Sequence, residues 1–265
     1  GQLRAGRERR TDEHREQQPE VVDVDEEDGR DCEHRHRGPD DEGVWVEADA
    51  GVALSHRRLS IIDLSPQGHQ PMESASGRFV IAFNGEIYNF EALRRQLEKA
   101  ATGAVRWRGH SDTEVMLAAF EEWGIEEALE RFAGMFAFAL WDRRERRLHL
   151  ARDRIGEKPL YYGWSKGAFL FGSELKALRA HPAFGAEIDR GAITLLLRHN
   201  YVPAPHTIYK GIRKLLPGTL ATLTRDQARR REEPSMSHYW SLGAVAGRGI
   251  EQRAPFNAAE ALAQL

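Results

Sequence analysis

Apolar and polar positions along the chain fall into short blocks with two alternating periods. Val44-Trp45-Val46 and Val52-Ala53-Leu54 flank Asp49-Ala50-Gly51, which predicts a hairpin. Residues 79–83 (FVIAF) form a continuous apolar run, a strand buried on both faces, and the run halts at Asn84-Gly85-Glu86. Ile87, Phe90, Leu93 and Leu97 then recur at helical spacing, one face of a helix that Asn89 helps to start. Ser111-Asp112-Thr113-Glu114 has the capping-box pattern and opens a second helix, with Val115, Met116, Ala119, Phe120 and Trp123 on its apolar face. Strands return at 135–141, 148–151, 160–164 and 168–171, helices follow near 174–179 and 192–198, and 219–224 predicts the last strand.

Most strand neighbours are joined by short links with few helices between them, which favours antiparallel pairing. Runs such as MFAFALW require cover on both faces. An α+β architecture meets both demands: a four-layer αββα sandwich of two antiparallel sheets with helices outside. Residues 1–36 lie apart from this texture, since nineteen of them are Asp, Glu, Lys or Arg and six are apolar. Such a segment buries too little to offset its ordering entropy, so 1–35 is expected to be disordered, with the main domain at 36–225. A polar linker at 226–254 and the start of a further domain at 255–265 complete the expected division, the chain stopping as a helical pattern begins.

Composition narrows the class. A net charge of −3, from 38 basic and 41 acidic residues, gives no electrostatic case for nucleic acid or an anionic membrane. No apolar run approaches the roughly 18 residues of a membrane span, and a single cysteine fits a reducing compartment, so a cytoplasmic location is expected. The histidines show no metal-ligand spacing, and no metal site is expected. Asn84-Gly85 by itself predicts no more than a turn, because glycine admits positive φ.

The motifs acquire meaning as an ordered set. HRGPD (36–40), SHRRLSIID (55–63), QPM (70–72), NGEIYN (84–89), SDTEV (111–115), GMFAFALW (134–141) and RDRIGEKPLYY (152–162) occur in that order. Together they resemble the glutaminase domain of the glutamine-hydrolysing asparagine synthetases, a class II glutamine amidotransferase domain with the N-terminal-nucleophile hydrolase fold. YVPAP (201–205) and LPGT (216–219) resemble the longer bacterial members. The resemblance implies a glutaminase that supplies ammonia for ATP-dependent amidation of aspartate. It also implies a thiolate nucleophile on an N-terminal cysteine, whose α-amine, with a pKa of about 8, serves as base.

The resemblance assigns the remaining roles by position. Asn84 and Gly85 would form the oxyanion hole, the glycine letting the tetrahedral intermediate approach the backbone. Arg58 would pair with the glutamine α-carboxylate, and Leu59, Ser60, Ile61 and Ile62 would line the same pocket. Glu86 and Asp112 would hold the α-ammonium, although a carboxylate at 112 also complements the positive end of its helix. Arg152 and Asp153 are expected to form a structural ion pair, and His36, Arg37 and Asp40 a buried hydrogen-bond cluster.

Two departures stand beside the resemblance. The sequence opens Gly1-Gln2, and its one cysteine, Cys32, lies four residues before HRGPD. The 35 residues ahead of that motif have the family's length and the wrong composition, as translation in another frame would produce. The chain as given is therefore expected to be inactive. The synthetase half, with its ATP and Mg²⁺, is also absent, so aspartate and ATP would be partners through that half alone, with no cofactor in this segment and a homodimer as an open association state. Two alternatives stay open: a glutamine-binding domain without hydrolysis, and an amidotransferase for another carboxylate acceptor.

Overall fold

The computed structural model describes residues 21–23, 40–59, 65–100 and 106–251. The first strands are β1 (Val21–Asp23), β2 (Asp41–Glu47), β3 (Val52–Arg58), β4 (Met72–Glu73), β5 (Phe79–Ile87) and β6 (Gly134–Asp142). They are followed by β7 (Arg147–Arg152), β8 (Tyr161–Ser165), β9 (Ala168–Gly172), β10 (Ile212–Lys214), β11 (Thr219–Thr224) and β12 (Ser235–His238). The helices are α1 (Phe90–Ala100), α2 (Asp112–Trp123), α3 (Ile125–Arg131), α4 (Leu175–Ala180), α5 (Arg190–His199), α6 (Arg225–Arg230) and α7 (Leu242–Glu251).

The strands make two six-stranded sheets, ordered β10-β8-β9-β1-β3-β2 and β12-β11-β7-β6-β5-β4. Their facing surfaces share one core, in which Val80, Ala82, Ala139 and Leu150 meet Val52, Leu54, Phe169 and Phe171. On the outer face of the second sheet, Leu93, Val115, Phe120 and Leu129 of α1–α3 pack on Phe79, Ile81, Phe83 and Phe138. On the outer face of the first, Leu178 and Phe184 cover Leu170 and Ile212. The layers are helix, sheet, sheet, helix, as the apolar runs require.

The ladders are antiparallel with two exceptions, both made by one strand. β1 runs parallel to both neighbours, β3 and β9, in the middle of the first sheet. Three residues are too few to show a period inside a charged segment, so the reading of 1–35 as disordered is corrected at Val21–Asp23. The far boundary moves as well. β12 pairs with β11 across four residues, which carries the sheet past the expected end at 225. α6 forms where the sequence looked irregular, because Thr224 and Gln227 make a reciprocal capping box.

The largest correction concerns the opening motif. β5 does not stop at Phe83 but continues to Ile87, since Asn84, Gly85, Glu86 and Ile87 pair with Ala137, Phe136, Met135 and Gly134. Ile87 is thus the end of a strand and not the first residue of the helix face. At α2, Ser111 Oγ accepts from the Glu114 N–H at 3.2 Å as expected. Glu114 does not return to Ser111; its carboxylate accepts from the Arg108 and Gly109 N–H groups at 2.7 and 3.0 Å and fixes the loop before the helix.

Candidate glutamine site at the open end of the sheet layer

β5 is two-faced along its length. Phe79, Ile81, Phe83 and Ile87 face the helices, while Val80 and Ala82 face the other sheet. Strand alternation puts Asn84 and Glu86 on that same inter-sheet face, where the apolar layer ends. The Asn84 side chain confirms the direction: its Nδ2 donates to Ser173 Oγ, just past β9 in the opposite sheet, at 3.1 Å. An amide nitrogen carries two hydrogens, so a second donor remains.

The backbone edge of the same stretch is equally informative. Phe136, opposite Gly85, turns its N–H and C=O away from β5: the carbonyl accepts from the Asp153 N–H at 2.8 Å and the N–H donates to Asp153 Oδ2 at 3.2 Å. Gly85 therefore belongs to a non-hydrogen-bonded pair, and its N–H points off the free edge of β5. Phe83 and Ile87 point the same way. The Phe83 N–H is taken by Gln70 Oε1 at 2.7 Å and the Ile87 N–H by Asp112 Oδ2 at 2.9 Å. Of these three edge donors, the middle one has no partner among the described residues.

Gly85 itself is demanded by the fold. Its φ is 155°, and a Cβ there would stand 2.1 Å from the Met135 carbonyl oxygen and 2.7 Å from Phe136 Cα. The reason inferred from sequence, close approach of an intermediate, is therefore replaced by close approach of β6.

Asp112 begins α2 and is buried, 5% exposed. Its Oδ1 accepts from the Thr113 N–H at 2.8 Å and its Oδ2 from Ile87. Burial pushes its carboxyl above the ordinary range, these backbone donors work against that shift, and the nearby Glu86 charge adds to it. Neither carboxylate has an ion pair among the described residues. The two acids lie close enough to sense each other, one of them buried.

Arg58 ends β3. Its Nη1 donates to the Ser65 carbonyl at 3.3 Å, and its guanidinium lies over Gly68, where a Cβ would come within 2.0 Å of Nη2. Gly68 thus makes room for this arginine, a link the sequence did not show. Leu59 follows, 60% exposed. Ser60, Ile61 and Ile62 lie outside the described residues, as do Cys32, His36 and Arg37. Asp40 is exposed, so the burial expected for this member of the cluster is corrected.

Arg152 and Asp153 are structural, though not as a pair. The Arg152 guanidinium donates to the carbonyls of Gly156, Lys158 and Leu215 at 2.6–2.8 Å. The buried Asp153 carboxylate gathers the N–H groups of Phe136 and of residues 155–158. It thereby fixes the loop after β7 to the start of β6, across the ladder from Gly85. Ser173, Gln70 and His56 were missed as site residues, because each meets Asn84 or Phe83 only through tertiary contact.

Against known families, residues 18–240 match the glutamine amidotransferase domain. The chain belongs to this family. Over 198 residues the amidotransferase chain is 40% identical to asparagine synthetase [glutamine-hydrolyzing] 3 of Bacillus subtilis, covering 72% of this chain and 30% of that protein. A putative asparagine synthetase [glutamine-hydrolyzing] of Mycobacterium tuberculosis is 42% identical over 203 residues, with 73% and 30% covered. The chain thus spans about a third of the length of these relatives. Among solved structures, the allosteric regulatory enzyme of purine biosynthesis superposes with a TM-score of 0.51 at 20% identity, covering 72% of this chain and 35% of that one. That likeness supports the four-layer sandwich fold and no more. Among the described residues, no helix is long and apolar enough to cross a membrane.

Proposed function

We propose that the open end of the sheet layer binds L-glutamine. Its side-chain carbonyl meets the Asn84 amide and the Gly85 N–H, its α-ammonium meets Asp112 and Glu86, and its α-carboxylate meets Arg58. A Gly85 N–H with no partner among the described residues, beside an amide donor and a buried carboxylate that has no ion pair among them, carries this reading. Donors fixed by a strand need no reorganisation as charge develops on the carbonyl oxygen, which is where an amide-cleaving site gains most. Arg58 offers a planar fork for a carboxylate.

The thiol that attacks the amide is not among the described residues. Where it is present, ammonia released here would be passed to an aspartate activated with ATP and Mg²⁺ in the part of the relatives that this chain does not match. The chain as given is proposed to hold glutamine without hydrolysing it. Titration calorimetry tests the reading. L-glutamine is expected to bind and D-glutamine not to, with no glutamate released. Absence of binding at millimolar L-glutamine, or equal binding of both enantiomers, would overturn it.

A further inference from the structure

β4 is only two residues long and pairs with β5 at Ile81 and Val80. Beyond it no strand among the described residues pairs with the edge of β5, yet Phe83 is buried, 3% exposed. Its backbone N–H and C=O would be costly to leave without partners there. Two side chains from elsewhere replace the missing strand. Gln70, in the loop before β4 and itself 6% exposed, accepts from the Phe83 N–H at 2.7 Å. His56, from β3 in the other sheet, stands with Nε2 2.9 Å from the Phe83 carbonyl oxygen.

A carbonyl oxygen can only accept, so Nε2 carries the hydrogen and the ring is the neutral Nε2–H tautomer. Burial keeps it so, lowering the pKa to about 4. Its Nδ1 is buried with no hydrogen-bond partner among the described residues. One ring nitrogen is thus committed to a single peptide, two residues before Gly85 and next to Asn84.

We infer that His56 and Gln70 are positioning residues for the glutamine site: they clamp the two peptides that flank Phe83 Cα so that the Asn84 amide and the Gly85 N–H are held toward the substrate carbonyl. The inference rests on the glutamine reading above for what the donors serve, while the clamp stands on its own geometry. On the far side of Gly85, the Asp112 carboxylate holds Ile87 in the same manner. A rotation of the 83–84 peptide would move both donors together, and misplacement by about 1 Å is enough to cost a hundredfold in a reacting geometry.

Amide-resolved NMR of the full chain tests this. In the native chain, saturating L-glutamine is expected to shift the Gly85 amide resonance. His56→Leu and Gln70→Leu should each remove more than half of that shift while the glutamine Kd changes less than about threefold, because the α-groups remain bound by Arg58 and Asp112. His56→Gln, which returns an Nε2–H donor at similar reach, should restore it. Should His56→Leu fail to fold, His56→Asn, whose amide is too short, takes its place. A full Gly85 shift in the donorless variants would overturn the inference, as would failure of His56→Gln to restore it.

A second arm needs no ligand. Hydrogen exchange at the Phe83 amide should accelerate about tenfold or more in Gln70→Leu, with amides of the β6–β7 ladder unchanged. If the native chain binds no glutamine, the glutamine reading fails and this arm alone decides the clamp. Unchanged Phe83 exchange would then overturn it.

Discussion

Asp112 and Asp142 are both buried aspartates, placed at opposite ends of one β5–β6 ladder, and their carboxyls are driven in opposite directions. Burial raises both. At Asp142 the Arg78 guanidinium overcomes burial, donating at 2.6–3.2 Å, with Arg144 and Glu145 N–H groups assisting, and the carboxyl falls below its ordinary range. Arg78 also lies 4.5 Å from the Phe79 ring centroid, so that end of the sandwich closes on itself. At Asp112 the donors are neutral and the carboxyl remains raised. The difference is one of partners: Asp142 has a guanidinium beside it, whereas Asp112 is held by neutral donors alone among the described residues.

The comparison can be broken in several ways, the largest first. In an enzyme of this family carrying the attacking thiol, Asn84→Ala should lower glutaminase kcat about 10²–10³-fold with KM little changed, measured as glutamate release. An unchanged kcat would leave Asn84 a sheet-to-sheet link to Ser173 and nothing more. Removing the cation from the closed corner should show in stability instead. Arg78→Leu is expected to lower unfolding free energy by about 3 kcal/mol in urea titrations, because Asp142 is then buried and unpaired, while glutamine affinity stays put.

The mirror experiment acts on the open corner. Asp112→Asn should raise the glutamine Kd about tenfold or more, the worth of a charge-assisted hydrogen bond, with little loss of stability. A large stability loss with normal Kd would make Asp112 another Asp142. Arg58→Ala should follow Asp112→Asn in direction.

The smallest effect is in pH. Asp142, depressed when folded, contributes stability above its unfolded pKa that is lost as pH falls through the folded value. Asp112, raised when folded, contributes below its unfolded pKa, and that contribution is lost as pH rises through the folded value. An ammonium bound at Asp112 favours the carboxylate. The glutamine-induced rise in Tm should therefore grow as pH climbs through the upper carboxylate range, and Asp112→Asn should flatten it. A rise in Tm independent of pH in the native chain would place the ammonium elsewhere.

Much of this was legible in the chain itself. Continuous apolar runs determined strands covered on both faces, and the short links between them, which favour antiparallel pairing, turned that cover into two stacked sheets. Helical spacing located α1 and α2, and the ordered motifs located Asn84, Gly85, Glu86, Arg58 and Asp112. What remained hidden depends on contacts with no local period. β1 is a three-residue insertion between strands far away in sequence, and β12 returns to β11 across α6.

The site divides in the same way. Sequence named the residues; tertiary structure decided which atoms are free. Only the register of β5 on β6 shows that the Gly85 N–H leaves the sheet, and only packing brings Gln70, His56 and Ser173 from three other segments to hold its neighbours. Gly85 and Gly68 likewise owe their identity to what approaches them, a strand backbone and a guanidinium. Side-chain chemistry is written residue by residue, whereas satisfaction of a buried donor is a property of the whole fold.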